Sequence, residues 1–238
     1  MLSATEKEYV AALMEKCLQG DALALESMAS FYYEDHPEEM NDRTASLVRE
    51  YYEKAADMGR QKACLNLGTL YFDGRYTEQD LAKAVQLFRA ARSGEDARLA
   101  AIANAKLGDC YRLGLGVETS YGKAFDCYLE GVLLCNHPVC LYKLGDMYRA
   151  GLFVEQDVEK AFFIYNKAKT ASQRFANDSY DSILLRLAEA TLEGVGTEKD
   201  VPTARKYLAM AKRMPCQSSC PEDIRAKIDS LTEKASKA

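Results

Sequence analysis

The stretch Leu144-Gly145-Asp146-Met147-Tyr148-Arg149-Ala150-Gly151 recurs with a period of about 40 residues. Three other segments align with it from the first marker to the last, beginning at Leu67, Leu107 and Leu187. Ten residues after the last Gly of each segment stands an alanine, namely Ala84, Ala124, Ala161 or Ala204. Periods of this length are typical of a stacked array, in which function resides on an extended surface rather than in one pocket.

Within each repeat, the spacing of small and apolar residues predicts two helices joined by a short turn. In the third repeat, Leu107, Gly108 and Tyr111 recur at helical spacing, and Gly108 predicts a close approach of the two helices. Gly114 is expected to end the first helix, because glycine adopts a left-handed conformation without a steric penalty. The residues expected to cap the second helices are Asp80, Ser120, Asp157 and Asp200.

The two ends of the array depart from the repeat pattern, as terminal units do when one side faces water. A degenerate first repeat starts at Met28-Ala29-x-x-Tyr32, and Thr44 is predicted to cap its second helix. Ser3 and Glu6 predict a capping box that opens a helix ending near Gln19. Pro221 is predicted to open a last helix, with apolar residues on one face at Ile224, Ile228 and Leu231.

These boundaries predict a single helical domain over residues 1–238. Its parts are an N-terminal capping helix (1–20), a degenerate repeat 1 (22–59), repeats 2 to 5 (61–94, 101–132, 138–170 and 180–212) and a C-terminal capping helix (221–238).

The pattern over residues 22–212 resembles Sel1-like repeats, a branch of the tetratricopeptide-type helical repeats. The residues that carry the resemblance are Leu144 to Gly151, Asp157-Val158-Glu159-Lys160-Ala161, and Tyr165 to Ala168. The resemblance implies an all-α, right-handed superhelical solenoid of helix-turn-helix repeats. It further implies a non-enzymatic scaffold or adaptor for a protein or peptide partner, with no cofactor and no set of catalytic residues.

By analogy with tetratricopeptide arrays, the first helices should line a concave face and expose positions around the Leu-Gly pair. The first position of each exposed set would be Glu26, Leu65, Ala105, Tyr142 or Leu185. The residues expected to bind the partner are Tyr33, Thr69, Phe72, Asp109, Arg112, Tyr142, Asp146, Arg149 and Glu189. Aromatic anchors beside arginines would suit an extended peptide or a partner helix. In the alternative interpretation, Asp109/Arg112 and Asp146/Arg149 are ordinary i,i+3 pairs and the aromatics pack between repeats.

Composition narrows the function classes. With 48% hydrophobic residues, the 238-residue chain can bury a continuous core. The net charge of −5 argues against a nucleic-acid groove as the main role. No stretch approaches the roughly 18 consecutive apolar residues that membrane insertion requires. The charged start of the sequence lacks the apolar core of a secretion signal, which predicts a cytoplasmic protein.

The eight cysteines leave two alternatives open. In a cysteine-rich relative of this repeat class, one disulfide links the two helices of each repeat, and some members were linked to β-lactam binding. Here the cysteines do not follow the period: Cys64 stands at that subfamily's first position, but Ala56 stands at the partner position. An enzyme or small-molecule binder of that type is therefore the weaker hypothesis, and neither histidine, His36 or His137, has an evident nucleophile.

The second alternative is a metal- or redox-responsive interaction module. It would use the thiols and imidazole of Cys127, Cys135, His137 and Cys140, since zinc prefers four such ligands. A disulfide between Cys216 and Cys220 also stays open. Buried thiols that act as small hydrophobic side chains are the preferred interpretation of most of the cysteines.

Overall fold

The computed structural model describes residues 3–175, 179–213 and 222–237. Every regular element in these ranges is helical, which confirms the all-α fold class. Within each unit, consecutive helices pair into hairpins, as the repeat pattern predicts. The chain forms two compact units, residues 1–120 and 121–238, and the division falls between the two helices of the predicted third repeat. A single domain over the whole chain stays a prediction.

In its described residues, unit 1 contains α1 (Ala4–Leu18), α2 (Ala22–Ser30), α3 (Asp42–Asp57), α4 (Gln61–Asp73), α5 (Leu81–Arg92) and α6 (Ala97–Leu113). A π-helical turn, Phe31–Asp35, extends α2, and a 3-10 turn follows at Pro37–Glu39. The described part of unit 2 contains α7 (Tyr121–Cys135), α8 (Pro138–Ala150), α9 (Val158–Ser172), α10 (Tyr180–Glu193), α11 (Val201–Arg213) and α12 (Glu222–Lys237).

Glycine ends the first helix of each of the four regular repeats, as predicted. The four residues are Gly74, Gly114, Gly151 and Gly194, with φ values of 63°, 71°, 65° and 73°. This left-handed conformation brings the Cβ atom of other residues into steric conflict, whereas glycine has no Cβ and adopts it at almost no energetic cost. The second helices α5, α9 and α11 then begin at acidic caps. Asp80 and Asp157 accept the backbone N–H groups of Lys83 and Lys160, and Asp200 accepts that of Thr203.

The predicted cap of α3 is wrong. Asn41, not Thr44, precedes the helix, and its side chain accepts the backbone N–H of Thr44 at 3.2 Å. The Thr44 hydroxyl accepts the Asn41 N–H at 2.7 Å in return, so Thr44 is the third helical residue of a reciprocal capping box. Both residue types favour helix starts, and the sequence pattern did not distinguish the cap from its reciprocating partner.

The terminal helices close the two units as expected. The capping box of Ser3 and Glu6 opens α1, which packs Leu13 against Ala24 and Met28. In α12, Ile228 and Leu231 are buried in one cluster with α10 and α11. Pro221 and the side chain of Ile224, also predicted for this helix, lie outside the described residues.

Close approach of the paired helices is the central feature of the packing. A Cβ atom built on Gly68 would lie 2.8 Å from the ring of Phe88, and one on Gly145 would lie 2.5 Å from the ring of Tyr165. Both rings belong to the second helix of the same repeat and are fully buried. The glycine of the Leu-Gly pair is therefore the site against which the second-helix aromatic ring packs. In the second and fourth repeats this contact confirms the close approach of the paired helices that the pattern predicts, and the aromatic ring fills space within the repeat.

We expect Gly145→Leu to lower the free energy of unfolding by about 3 kcal/mol, because the new side chain would overlap Tyr165 in a packed core. Ala150→Leu is the matched control, since Ala150 is exposed on the same helix and should tolerate the change. Urea unfolding followed by circular dichroism measures both. Equal stability of the two variants would contradict the close packing at Gly145.

Asn104 is an exception in the core of unit 1. Its side chain is fully buried, and neither amide atom has a hydrogen-bond partner among the described residues. The equivalent positions of the other regular repeats hold Cys64, Leu141 and Leu184, which are also buried. A buried amide without partners is unfavourable, because it loses its hydrogen bonds with water and gains none in exchange.

Asn104→Leu should therefore raise the free energy of unfolding, by about 1 to 2 kcal/mol. Asn66→Leu should lower it, because the Asn66 amide donates hydrogen bonds to Glu34 and Tyr52. Chemical denaturation of the two variants beside the wild type tests the sign of each change. A loss of stability in Asn104→Leu would show that the amide has a favourable role that its surroundings do not explain.

Candidate functional site

Fewer residues of the first helices are exposed to solvent than the sequence predicts. Each predicted exposed set begins with a residue that is in fact buried: Glu26, Leu65, Ala105, Tyr142 and Leu185 are 4% to 7% exposed. For two of them the reason is visible, because an arginine covers them, either just before the first helix of the next repeat (Arg60) or within it (Arg186). Arg60 binds Glu26, and the Arg186 guanidinium lies 4.5 Å from the centre of the Tyr142 ring. Tyr142 is therefore not an exposed aromatic anchor.

In unit 2, charged side chains join α8 to α10. Arg186 binds Asp146 with two nitrogens, with distances of 2.5 Å from Nε to Oδ1 and 2.6 Å from Nη2 to Oδ2. The Tyr165 hydroxyl donates to the same carboxylate at 2.8 Å. Burial raises the pKa of Tyr165, and the neighbouring charge of Asp146 raises it further. Asp146 thus holds two helices together and keeps the Tyr165 hydroxyl protonated.

Arg149 is paired with the next repeat rather than with its own helix. Its Nη1 lies 2.6 Å from Glu189 Oε2, and Lys227 of α12 approaches the other oxygen of Glu189 at 3.6 Å. Burial opposes ionisation of Glu189, but the hydrogen bond and charge of Arg149 outweigh it and lower the pKa of the Glu189 carboxyl. Asp146 and Arg149 therefore pair with Arg186 and Glu189 of the next repeat rather than with each other.

The charged and aromatic residues at this contact are here called the α8–α10 network. They are Tyr142, Asp146, Arg149, Tyr165, Arg186 and Glu189.

A surface depression of about 190 Å³ lies beside the Arg149–Glu189 pair. Its apolar wall includes Ala161 and Phe162 of α9, Ala190 near the end of α10, and Val195 in the loop that follows α10. The side chain of Arg149 is 40% exposed and that of Glu189 is 16% exposed. This site of unit 2 combines apolar wall, one accessible cation and carboxylates, which are the groups that recognise peptide side chains.

The other predicted partner-binding residues belong to unit 1, where they are half-buried. Asp109 and Arg112 form the predicted i,i+3 pair, with 3.6 Å between Oδ1 and Nη2. Phe72 packs against Phe88 at 6.1 Å between ring centres, and the Lys106 ammonium lies 5.7 Å from the Phe72 ring. The first helix of one repeat thus again reaches the next.

Tyr33 and Thr69 are engaged within unit 1 as well. The ring of Tyr33 meets that of Tyr52 edge to face at 6.2 Å, and burial raises the pKa of its hydroxyl, with a smaller effect from Asp73. The Thr69 hydroxyl donates to the Leu65 carbonyl of its own helix at 3.0 Å. Neither side chain is fully exposed, so both would contribute to partner binding mainly through their accessible edges.

Cations that link one repeat to the next are functional residues that the repeat pattern did not predict. In unit 1, Arg60 binds Glu26 at 2.8 Å, and Lys62 binds Glu34 at 2.8 Å. In unit 2, Arg186 plays this part for Asp146. A signal was present in the sequence, because both pairs of the α8–α10 network are separated by 40 residues, close to the 43 residues from Leu144 to Leu187. Opposite charges about one repeat apart favour a contact between adjacent first helices.

The cysteine positions bear on the alternative hypotheses. Cys64 Sγ lies 3.9 Å from the Ala56 carbonyl, so the two positions of the cysteine-rich subfamily are neighbours here, with an alanine in place of the second thiol. Cys17 and Cys64 are free thiols, and burial raises the pKa of both. Cys216 and Cys220 lie outside the described residues.

The proposed metal ligands surround the turn between α7 and α8. Cys127 and Cys135 lie on α7, buried His137 precedes α8, and Cys140 is buried on α8. Across residues 3–175, 179–213 and 222–237, no group of three or more His, Cys, Asp or Glu side chains is arranged to hold a metal ion. His36, the other histidine, is close to Glu38 and Glu6.

No helix in the described parts of the chain is both long and apolar enough to span a lipid bilayer.

The chain consists of helix hairpins that follow one another in sequence. Glycine packs against an aromatic ring within a hairpin, and charged side chains link successive first helices. These features are those of a helical repeat protein. The family profile described as Sel1 repeat matches residues 49–59, 61–96, 101–132, 138–172 and 184–215, more than half of the sequence. The chain therefore belongs to the Sel1 repeat family, whose fold is typically a module for protein interaction.

Solved structures of the same fold agree with this assignment. A Sel1 repeat protein from Oxalobacter formigenes superimposes with a TM-score of 0.71 at 19% identity, over 95% of this chain and 92% of that one. A putative Sel1 repeat protein from Klebsiella pneumoniae subsp. pneumoniae gives a TM-score of 0.55 at 15% identity, over 95% and 99% of the two chains. At these identities the likeness shows the fold alone.

Among curated proteins, the chain is similar to DAP3-binding cell death enhancer 1 of Rattus norvegicus. The two are 31% identical over 102 residues, which is 43% of this chain and 19% of the rat protein. The match thus spans about a fifth of the length of that relative.

The Arg149–Glu189 pair makes a pH-dependent contribution that can be measured. Because the pKa of Glu189 is lowered in the folded state, the pair stabilises the protein above the ordinary glutamate pKa of about 4.3. That stability is lost as the pH falls through the lower folded-state value. We expect Glu189→Gln to be less stable than wild type at neutral pH, with a difference that shrinks at acidic pH. Unfolding in urea across this pH range tests it, with Glu50→Gln of an exposed pair as control. A difference independent of pH would contradict the assignment.

Proposed function

We propose that this protein is a non-enzymatic scaffold that binds a protein or peptide partner on the surface formed by its first helices. The observation that carries the proposal is the depression beside Arg149 and Glu189, where an accessible ion pair borders an apolar wall. A partner carboxylate could share the Arg149 guanidinium, which has more donor groups than Glu189 can accept. Apolar side chains of the same partner would fill the depression.

The residues that would bind this partner are those of the predicted set that stay accessible. In unit 2 they are Asp146, Arg149 and Glu189. Tyr142 is buried and would act indirectly, because its ring packs against the Arg186 guanidinium. In unit 1 they are Tyr33, Thr69, Phe72, Asp109 and Arg112. The name of the rat relative describes binding to another protein, DAP3. That name supports a protein partner as the class, and it supplies no partner for this chain.

A cytoplasmic location is part of the proposal. It rests on the thiols of Cys17 and Cys64, because small proteins of oxidising compartments generally use their cysteines in disulfides. Fluorescence microscopy of a tagged full-length protein in its own cells tests the location, and a signal confined to an exported fraction would contradict it.

The binding surface can be tested by exchanging charges without breaking an ion pair. Arg149→Glu combined with Glu189→Arg keeps opposite charges at the α8–α10 contact but reverses their positions. Glu50→Lys combined with Lys54→Glu does the same for an exposed pair on the second helix α3, and serves as the matched control. We expect partners captured from native lysate by the wild type and the control to be lost with the first exchange.

Thermal unfolding of each variant separates lost binding from lost folding, because Lys227 also approaches Glu189 and the first exchange weakens that contact. Quantitative mass spectrometry of the captured proteins gives the readout. Identical capture by both exchanged variants, with both folded, would mean that partners bind elsewhere on the protein.

A further inference from the structure

The turn that follows α8 contains an aromatic residue in a strained conformation. Phe153 has φ +68°, a left-handed value that is costly for a bulky side chain. At the same place in the turns after α6 and α10 stand Gly116 and Gly196, with φ +69° and +70°, and the turn after α4 has Tyr76 there, with φ +64°. The Phe153 ring is nonetheless 63% exposed, so its burial within the chain is too small to account for the strain.

The exposed ring lies at the edge of an apolar surface on α7. The centre of the Phe153 ring is 5.7 Å from the centre of the Phe125 ring. A Cβ on Gly122 would lie 3.2 Å from the nearest atom of the Phe153 ring, so glycine at this position leaves room for the ring. Along α7, the residues Tyr121, Phe125, Leu129 and Leu133 follow at i,i+4 spacing and form one helical stripe. These four residues and Phe153 are here called the α7 patch.

This stripe is peculiar to one repeat. Leu133 is 76% exposed and Leu129 is 38% exposed. The positions equivalent to Leu129 hold Arg89 on α5 and Asn166 on α9, and those equivalent to Leu133 hold Ser93 and Thr170. On α11 these positions hold Ala209 and Arg213, so the other regular repeats present no large apolar side chain there. Contiguous exposed apolar residues of this kind mark interaction sites.

The charges around the α7 patch are mostly negative. Asp126 on α7, Glu155 in the turn and Glu159 at the start of α9 are exposed. Two lysines also border it: Lys123 on α7, and Lys160, whose ammonium lies 4.0 Å from the centre of the Tyr148 ring. Glu130 adds a further carboxylate. The excess of carboxylates favours a partner that carries positive charge beside its apolar groups.

We propose that the α7 patch is a second docking surface, and that its occupant is an amphipathic helical segment with leucine-like side chains on one face and lysine or arginine at its edges. The segment would lie along the stripe from Tyr121 to Leu133, with one apolar side chain against Phe153. Its cations would face Asp126, Glu155 and Glu159. No residue of the α7 patch lines the depression beside Arg149 and Glu189, so the two proposed surfaces use different residues.

The test uses the full chain and two labelled peptides in a fluorescence anisotropy titration. One peptide has leucine and lysine at amphipathic helical spacing, and the other has every lysine replaced by glutamate. We expect saturable binding of the lysine peptide and at least about tenfold weaker binding of the glutamate peptide. Equal affinities for the two, or no saturation with either, would overturn the proposal.

Phe153→Gly gives a variant in which loss of binding is not explained by unfolding. Glycine suits the left-handed backbone, so the melting temperature should be unchanged or higher, while affinity for the lysine peptide should fall about tenfold or more. Asp126→Lys should weaken binding through charge alone. The matched control is Phe163→Ala, which removes an equally exposed aromatic ring on α9 outside the patch. Undiminished affinity in Phe153→Gly, or an equal loss in Phe163→Ala, would overturn the proposal.

Undiminished binding of the peptide by the Arg149/Glu189 exchange would show that the two surfaces are separate.

Discussion

The structure depends on the contact between a glycine of the first helix and an aromatic ring of the second. At Gly68 and Gly145 no side chain atom separates the helix backbone from the rings of Phe88 and Tyr165. Glycine in a helix is unfavourable by about 1 kcal/mol in conformational preference, and the packing that it permits outweighs that cost. In the last regular repeat Ala188 faces the smaller Leu208, so the volumes of the two positions change together.

This contact also determines the chemistry of the surface. Because Tyr165 lies against Gly145, its hydroxyl emerges beside Asp146, the next residue along the helix, and donates a hydrogen bond to it. The carboxylate is thereby oriented to accept both nitrogens of Arg186 from the next repeat. Tyr52 has an equivalent part in unit 1, where its hydroxyl bonds to Ser30 and to Asn66 of the following repeat. Packing within a repeat and polar links between repeats are therefore joined through the same tyrosine side chain.

Much of the fold could be predicted from the sequence because its signals are local. The glycine caps, the acidic caps and the Leu-Gly contact each depend on one or two residues whose conformational preferences are strong. The cap of α3 was misplaced because Asn41 and Thr44 are both suited to the role. The site was harder to predict, since exposure depends on what the next repeat places over a side chain. Nothing local to Tyr142 reveals that Arg186 covers it, although the opposite charges of Asp146 and Arg186, about one repeat apart, favour a contact between the two helices.

The turns show where one sequence can differ from its own repeat pattern. Gly116 and Gly196 lie so close to the preceding second helix that a Cβ would come within 2.3 Å of the Leu81 carbonyl and 2.0 Å of the Val158 carbonyl. Phe153, like Tyr76 in the turn after α4, has a Cβ at the corresponding position and keeps the left-handed backbone. Stability alone would favour glycine there, because the strain of a left-handed phenylalanine is about 1 to 3 kcal/mol. A residue that departs from the local optimum and leaves its ring in water is better explained by contact with another molecule than by the packing of this chain.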